Sequence, residues 1–140
     1  MITKSVLLAM TPDAAFRLFA EQISVWWPAE RRHTNDPGST LHLYADGRFF
    51  ERASDGYEFE LGRVVEWVAP ERIVLDFYIA TGPAYPTKAE IQFAAEGGGT
   101  RITITHTSKP ESEGLWSERA PRYERSWEIV LAALSTAATI

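Results

Sequence analysis

Short apolar or alternating runs separated by turn residues fill the middle of the chain, and this pattern restricts the possible fold more than any other feature. The turn residues stand at Asp46-Gly47, Asp55-Gly56, Ala69-Pro70-Glu71, Thr81-Gly82-Pro83 and Gly97-Gly98-Gly99. Glycine, proline and aspartate each favour backbone angles that tight connections require. The pattern predicts six strands joined as a meander of hairpins, at residues 41–45, 48–53, 57–68, 72–79, 87–95 and 101–107.

The region before the meander predicts a strand and helical segments. Apolar and polar residues alternate over residues 2–10, which is typical of a half-buried strand. Thr11-Pro12-Asp13 then supplies an N-cap, a proline at the first helical position and an acid near the positive end of the helix dipole. The helix should break near Trp26-Trp27-Pro28, because a proline disfavours helical angles in the residue before it. A short second helix and a polar loop over residues 29–40 are expected to follow.

The C-terminal region carries one apolar stripe at helical spacing. The stripe consists of Tyr123, Trp127, Val130, Leu131, Leu134 and Ala138. Such spacing predicts an amphipathic helix with one buried face. The polar stretch 109–121 before it predicts a loop at the rim of the domain. Residues 1–140 are therefore predicted to form a single domain of the α+β class.

Several local motifs stand out within this plan. They are Asp46-Gly47-Arg48-Phe49-Phe50-Glu51-Arg52, Asp55-Gly56-Tyr57-Glu58, Gly62-Arg63-Val64, Trp26-Trp27-Pro28 and the strand at 99–106. Together they resemble the START-like (SRPBCC) superfamily, and within it the family similar to the activator of heat-shock protein 90 ATPase. The resemblance implies the helix-grip (START-like, Bet v 1-like) fold, a curved antiparallel sheet of about seven strands around a long C-terminal helix. It also implies a cavity between sheet and helix, which different branches use for lipids, hormones or polyketide intermediates.

Alternation along the predicted strands indicates which side chains face the C-terminal helix. His106 shares a side with the apolar residues of the last strand, and Phe77 and Phe93 do so on theirs. The resemblance implies that Phe49 and Glu51 also face the cavity. Phe77 stands where the family frequently has a tryptophan, a departure that would reshape any pocket.

Glu51 and His106 are thus polar groups predicted among aromatic side chains. A carboxylate in such a place must gain a partner or shift its pKa upward. One interpretation is that Glu51, His106 and His33 from the loop are the convergent polar groups of a small-molecule site. Alternatively, Glu51 forms an internal salt bridge to Arg52 or Arg63, or lies in water at a sheet edge. His106 alternatively occupies a hydrogen-bonded position in the core or at the rim.

The aromatic residues near the predicted helices either line the mouth of a cavity for a flat apolar ligand or only form core. Trp116, in the predicted loop, is a candidate for a flexible lid or for an anchor of that loop. The candidate ligand-binding residues are Trp27, His33, Phe49, Glu51, Phe77, Phe93, His106, Trp116, Tyr123 and Trp127.

Composition argues against several classes of partner. The net charge of -5 leaves no basic surplus to neutralise phosphates, so no nucleic acid is expected. Because the chain has no cysteine and its three histidines are scattered, we expect neither a metal nor another cofactor. The apolar stretch 6–10 is far shorter than the roughly 20 residues that span a bilayer. We therefore expect no membrane insertion and a cytoplasmic location.

Three classes of function are open at this point. The first is a binding domain for a small apolar or amphipathic molecule, and a homodimer is possible. The second is an enzyme of the cyclase, dehydratase or hydrolase kind, with Glu51 and His106 as general acid and base. The third, which the resemblance suggests, is a stress-related module that interacts with a chaperone.

Overall fold

Antiparallel strands form one curled sheet in the computed structural model, which describes residues 1–34 and 36–139. The strands are β1 (Ile2–Leu8), β2 (Thr40–Leu43), β3 (Arg48–Arg52), β4 (Glu58–Val68), β5 (Arg72–Phe77), β6 (Thr87–Glu96) and β7 (Gly99–Ser108). Their order in space is β1-β7-β6-β5-β4-β3-β2. The predicted meander is confirmed, since β2 to β7 are neighbours in space as they are in sequence. The strand ends agree with the prediction to within two residues.

Helices precede and follow the meander. They are α1 (Pro12–Glu21), α2 (Ile23–Trp26) and α3 (Glu113–Ala138), with 3-10 turns at Ala29–Arg31 and Pro110–Ser112. Thr11 caps α1 as predicted, because its Oγ1 accepts from the Ala14 amide at 3.2 Å. Helical geometry ends at Trp26, and Trp27 is extended, as expected before Pro28. Residue 35 of the predicted loop and residue 140 of the predicted domain lie outside the described residues.

The sheet curls around β4, where the chain requires glycine. Gly62 pairs with Phe49 of β3 on one side and with Phe77 of β5 on the other. A Cβ atom at Gly62 would lie 2.4 Å from the carbonyl oxygen of Asp76 and 3.2 Å from the Phe49 ring. Irregular register in both pairings of β4 adds local bending. The close approach of β4 and β5 therefore depends on the missing side chain.

The concave side of the sheet grips α3, as the helix-grip fold requires. The predicted stripe of α3 is buried from Tyr123 to Leu134. Trp127 packs on Phe77 of β5, with ring centroids 5.6 Å apart. At the other end of the core, Phe16 of α1 packs on Phe93 of β6 at 5.0 Å. Every helix among the described residues is too short or too polar to span a bilayer.

The predicted rim loop over residues 109–121 is wrong. After the turn Pro110–Ser112, α3 begins at Glu113 and continues through Pro121. The half-buried Trp116 therefore lies in the first turn of α3 rather than in a flexible lid, and its ring centroid is 5.4 Å from that of His106. Packing of this side chain against β7 outweighs the low helix propensity of proline.

Replacing Pro121 by alanine is expected to raise the free energy of unfolding by about 1–3 kcal/mol. Proline inside a helix lacks the amide that would bond to the carbonyl four residues earlier, and it crowds that carbonyl. Urea unfolding followed by circular dichroism measures the change. Pro110→Ala is the matched control, because a proline at the first position of a turn costs no interior hydrogen bond. A gain of equal size in both variants would contradict the argument.

Candidate functional site

A cavity of about 470 Å³ lies between α3, the sheet and the segment that follows α2. Its apolar surface comes from Trp27, Leu61, Phe77, Tyr123, Trp127 and Val130. These side chains are almost fully buried, so they form the floor of the cavity. Exposed charged or polar residues, among them Glu30, His33, Arg122 and Arg125, also line it and mark the mouth. The volume lies within the range of small-molecule sites.

Trp27 is held at one side of this floor. Its indole N–H donates to the Arg31 carbonyl at 3.2 Å, which also ties the 3-10 turn to α2. Its ring meets Trp127 edge to face, with centroids 6.4 Å apart, and meets Phe49 at 6.3 Å. The extended backbone before Pro28 directs the chain away from α2. The floor is therefore an assembly of fixed aromatic rings.

A chain of hydrogen bonds joins α3 to three strands through His106. Trp127 Nε1 donates to His106 Nδ1 at 2.9 Å. Because an indole N–H can only donate, Nδ1 is the unprotonated nitrogen and Nε2 carries the proton. Nε2 therefore donates to Thr87 Oγ1 at 2.7 Å, and the Thr87 hydroxyl donates to the Phe77 carbonyl at 3.4 Å. Both ring nitrogens of His106 are thus occupied by the protein itself.

The imidazole of His106 is neutral at pH 7. Its side chain is fully buried, and burial, with a smaller contribution from the positive N-terminus, lowers its pKa from 6.5 to about 3. Its ring neighbours are aromatic: Phe77, Trp116, Tyr123 and Trp127. His106 is therefore a hydrogen-bonded core residue, one of the two positions that the sequence allows.

Tyr123 and Arg119 of α3 hold the segment after β5 against the cavity. The Tyr123 hydroxyl donates to the Ile79 carbonyl at 2.6 Å, and Arg119 Nε donates to the Ala80 carbonyl at 3.1 Å. Burial raises the pKa of the Tyr123 hydroxyl, so it stays protonated and remains a donor. Ala80 has a φ of 69°, which is unfavourable for a residue other than glycine. These contacts fix the wall formed by Ile79 and Ala80.

The Glu51 carboxylate joins β3 to the loop after α2. Its Oε1 accepts from the His33 amide at 2.6 Å, and its Oε2 accepts from the amide of Thr34 at 3.0 Å and from the Thr34 hydroxyl. Burial alone would raise the pKa of Glu51, but these hydrogen bonds outweigh it and lower the pKa below 4.5. The side chain is ionised and fully buried, so it does not lie in water. Arg52 pairs instead with Glu58, at 2.7 Å.

A comparison with known protein families shows which family the chain belongs to. Residues 9–139 match the family described as activator of Hsp90 ATPase homolog 1-like protein. The chain belongs to this family. No curated protein matches the chain.

Several solved structures have a similar fold. One is the solution structure of CalC, a self-sacrificing resistance protein from Micromonospora echinospora, with a TM-score of 0.76 and 23% sequence identity. The match covers 98% of this chain and 92% of the CalC chain. The anthrahydroquino-γ-pyrone synthase Txn09 has a TM-score of 0.54 and 26% sequence identity, and the match covers 83% of this chain and 82% of the Txn09 chain. The solution structure of the Aha1 dimer from Colwellia psychrerythraea has a TM-score of 0.62 and 12% sequence identity, and the match covers 99% of this chain and 96% of the Aha1 chain.

In this member of the family, the ten candidate residues divide into two groups. Those that line the cavity are Trp27, His33, Phe77, Tyr123 and Trp127. The others lie elsewhere. Phe49 packs behind Trp27, and Phe93 lies under α1. Glu51 holds the loop, while His106 and Trp116 lie beside the floor without lining it. Glu51 and His106 therefore do not meet at the cavity.

Sequence reasoning missed the guanidinium groups at the mouth. Arg31 and Arg32 line it from the segment after α2, and Arg122 and Arg125 line it from α3. Helical spacing contains a signal for the second pair, since Arg122 and Arg125 are three residues apart and therefore share one side of the helix. The first pair follows the Trp-Trp-Pro motif directly, but its position depends on how that segment folds. Within the described residues there is no group of three or more potential metal ligands.

Proposed function

We propose that the cavity binds a small molecule with a flat apolar body, which would lie on the aromatic floor between the sheet and α3. The observation that carries this proposal is the cavity itself, about 470 Å³ of space lined by rigid rings in a region where the fold packs its core. Small-molecule sites commonly combine an apolar floor with a few polar groups. The likeness to Txn09, a synthase of a polycyclic anthrahydroquino-γ-pyrone, supports a flat ligand.

The geometry favours binding over acid-base catalysis by Glu51 and His106. A general acid and base must both reach one substrate position, within about 3 Å. Both Glu51 oxygens accept from the loop, and both His106 nitrogens are bonded to Trp127 and Thr87. Neither residue lines the cavity. The likeness to the Aha1 structure, at 12% identity, concerns the fold alone and does not favour a chaperone interaction.

Ser126→Trp is expected to weaken binding of an apolar probe more than tenfold. Ser126 lies on α3 at the wall of the cavity and is half-buried, so an indole there occupies space that a ligand would use. Removing contact with one aromatic group costs roughly 1.5–3 kcal/mol of apolar burial, which is at least about tenfold in affinity. The probe is N-phenyl-1-naphthylamine, whose fluorescence rises in apolar surroundings, titrated into the wild-type and variant proteins.

Ser117→Trp is the matched control, because Ser117 is exposed on the same helix and does not line the cavity. Its affinity for the probe should equal that of the wild type. Near-ultraviolet circular dichroism of both variants establishes that tertiary packing is retained. If the wild type does not bind the probe, or if Ser126→Trp binds it as tightly, the proposed site is wrong.

A further inference from the structure

The cavity mouth gathers arginines that have no carboxylate partner among residues 1–34 and 36–139. Arg31, Arg32, Arg122 and Arg125 all line it, and none lies within 4.0 Å of a described carboxylate oxygen. Elsewhere four arginines of the sheet are paired: Arg48 and Arg52 with Glu58, Arg72 with Glu66, and Arg101 with Glu96. The chain carries a net charge of -5, so acidic partners are plentiful. Arg17 and Arg63 also lack such a partner among the described residues, but they do not line the cavity, so the local feature of the mouth is that four such guanidinium groups lie together.

The arginines of the mouth differ in whether their N–H groups already donate hydrogen bonds to the protein. Arg32 donates to the Ser39 carbonyl at 2.8 Å and to the Ser24 carbonyl at 2.6 Å, so it fixes the loop and contributes mainly its charge. Arg31 Nε is buried and has no hydrogen-bond partner in the described part of the chain. A buried donor of this kind gains when an acceptor arrives. Arg31 is thus the most strongly predisposed to bind an anion.

Arg122 and Arg125 face Arg31 from a different element, α3. They are three residues apart, so they lie on neighbouring positions of one helical side. Arg122 is close enough to the Tyr123 hydroxyl at the cavity wall to affect its pKa. Among the described residues of the mouth, Glu30 is the one carboxylate, against four guanidinium groups. The mouth is consequently positive, while the floor beneath it is apolar.

We infer that the ligand is an amphipathic anion, whose apolar body lies on the aromatic floor and whose carboxylate, sulfonate or similar acidic group is bound by Arg31, Arg122 and Arg125. This inference rests on the proposed function, because it names the class of molecule for the same cavity. Guanidinium groups bind oxyanions through paired N–H donors, and such bonds are stronger than neutral ones. A positive mouth also attracts anions before contact.

Two fluorescent probes with the same apolar body test the inference. The compound 8-anilinonaphthalene-1-sulfonate carries a sulfonate, and N-phenyl-1-naphthylamine is its uncharged parent. We expect the wild type to bind the sulfonate about tenfold more tightly, the effect of roughly one charge-assisted contact. We also expect this preference to fall at least about threefold when the salt concentration rises from 50 to 500 mM, because the mouth is partly exposed to solvent.

The double variant Arg122→Gln/Arg125→Gln should lose most of the preference for the sulfonate, while Arg31 keeps a part of it. Arg31→Gln should act in the same direction. The control is Arg17→Gln/Arg63→Gln, which removes two exposed arginines that do not line the cavity and should keep the wild-type preference. Equal binding of both probes by the wild type, or an unchanged preference in the Arg122 and Arg125 variant, overturns the inference and leaves the proposed function intact. Failure of both probes to bind the wild type overturns the proposed function itself.

Discussion

Replacing Glu51 by glutamine is expected to lower the free energy of unfolding by about 2–4 kcal/mol. The carboxylate accepts three hydrogen bonds from His33 and Thr34, and its side chain is fully buried. Glutamine can accept at only one atom, and its amide group would face the N–H donors of the loop. Hydrogen bonds to a charged group are each worth about 1.5–3 kcal/mol, and an unpaired buried donor adds its own cost. Urea unfolding at pH 7 measures the loss.

The matched control is Glu60→Gln on the neighbouring strand β4. Glu60 is exposed and pairs with Arg48, an arrangement worth no more than about 1 kcal/mol. The Glu51 effect should also disappear in acid. Since the pKa of Glu51 is lowered on folding, its contribution is present above the ordinary value of 4.5 and is lost as the pH falls through the lower folded value. A Glu51→Gln loss no larger than that of Glu60→Gln would show that the carboxylate does not hold the loop.

The strands could be predicted because their signals are local. Alternation and the turn residues lie within a few positions of each other, and each turn requires a backbone shape that few residues adopt. The phase of side chains along a strand is local as well. It correctly predicted that Phe77 and His106 are buried. The helix cap at Thr11 depends only on the next three residues.

The beginning of α3 could not be predicted because its causes are distant in sequence. Polar composition and Pro121 are local signals against a helix, whereas the contacts that stabilise its first turns reach other strands. Trp116 packs on His106 of β7, and Lys109, just before the turn, pairs with Asp76 of β5 at 2.6 Å. Tertiary packing therefore decided this segment against its local propensity.

The same distinction applies to the candidate site. Alternation along the strand predicted the side of the sheet on which Glu51 lies, but it could not predict its hydrogen-bond partners. These partners come from a loop 17 and 18 residues earlier in the chain. The mouth likewise needs two segments that are far apart, one after α2 and one on α3. Their arginines are ordinary surface residues in the sequence. They become a group only when the helix is packed on the sheet.

Because of His106, the free energy of unfolding is expected to fall by about 2.5 kcal/mol when the pH is lowered from 7 to 4.5. Burial lowers its folded pKa from 6.5 to about 3, so the unfolded chain binds one more proton throughout the interval between these values. Stability is therefore flat above about pH 7 and falls as the pH drops below 6.5, at roughly 1.4 kcal/mol per pH unit. Urea unfolding at half-unit intervals of pH measures the slope.

The interval from pH 4.5 to 6.5 separates this effect from those of the carboxylates. Glu51, Glu58, Glu96 and Glu128 also have lowered pKa values, but their contributions are lost only below their ordinary value of 4.5. His42 acts in the same direction as His106, since burial lowers its pKa too. His42→Gln must therefore be measured in parallel, and we expect it to leave most of the slope in place because His42 is only half-buried.

His106→Gln is the decisive variant because it removes the titration and retains the hydrogen-bonding pattern. The glutamine oxygen can accept from Trp127 Nε1 in place of Nδ1, and its amide can donate to Thr87 Oγ1 in place of Nε2. The slope of the free energy of unfolding against pH, between pH 4.5 and 6.5, should therefore fall by about 1.4 kcal/mol per pH unit, which corresponds to one proton. This change should be seen whatever the stability of the variant at pH 7. A slope equal to that of the wild type would mean that His106 takes up its proton in the folded state. In that case the neutral imidazole that accepts from the indole of α3 would not be the form that joins the helix to the sheet.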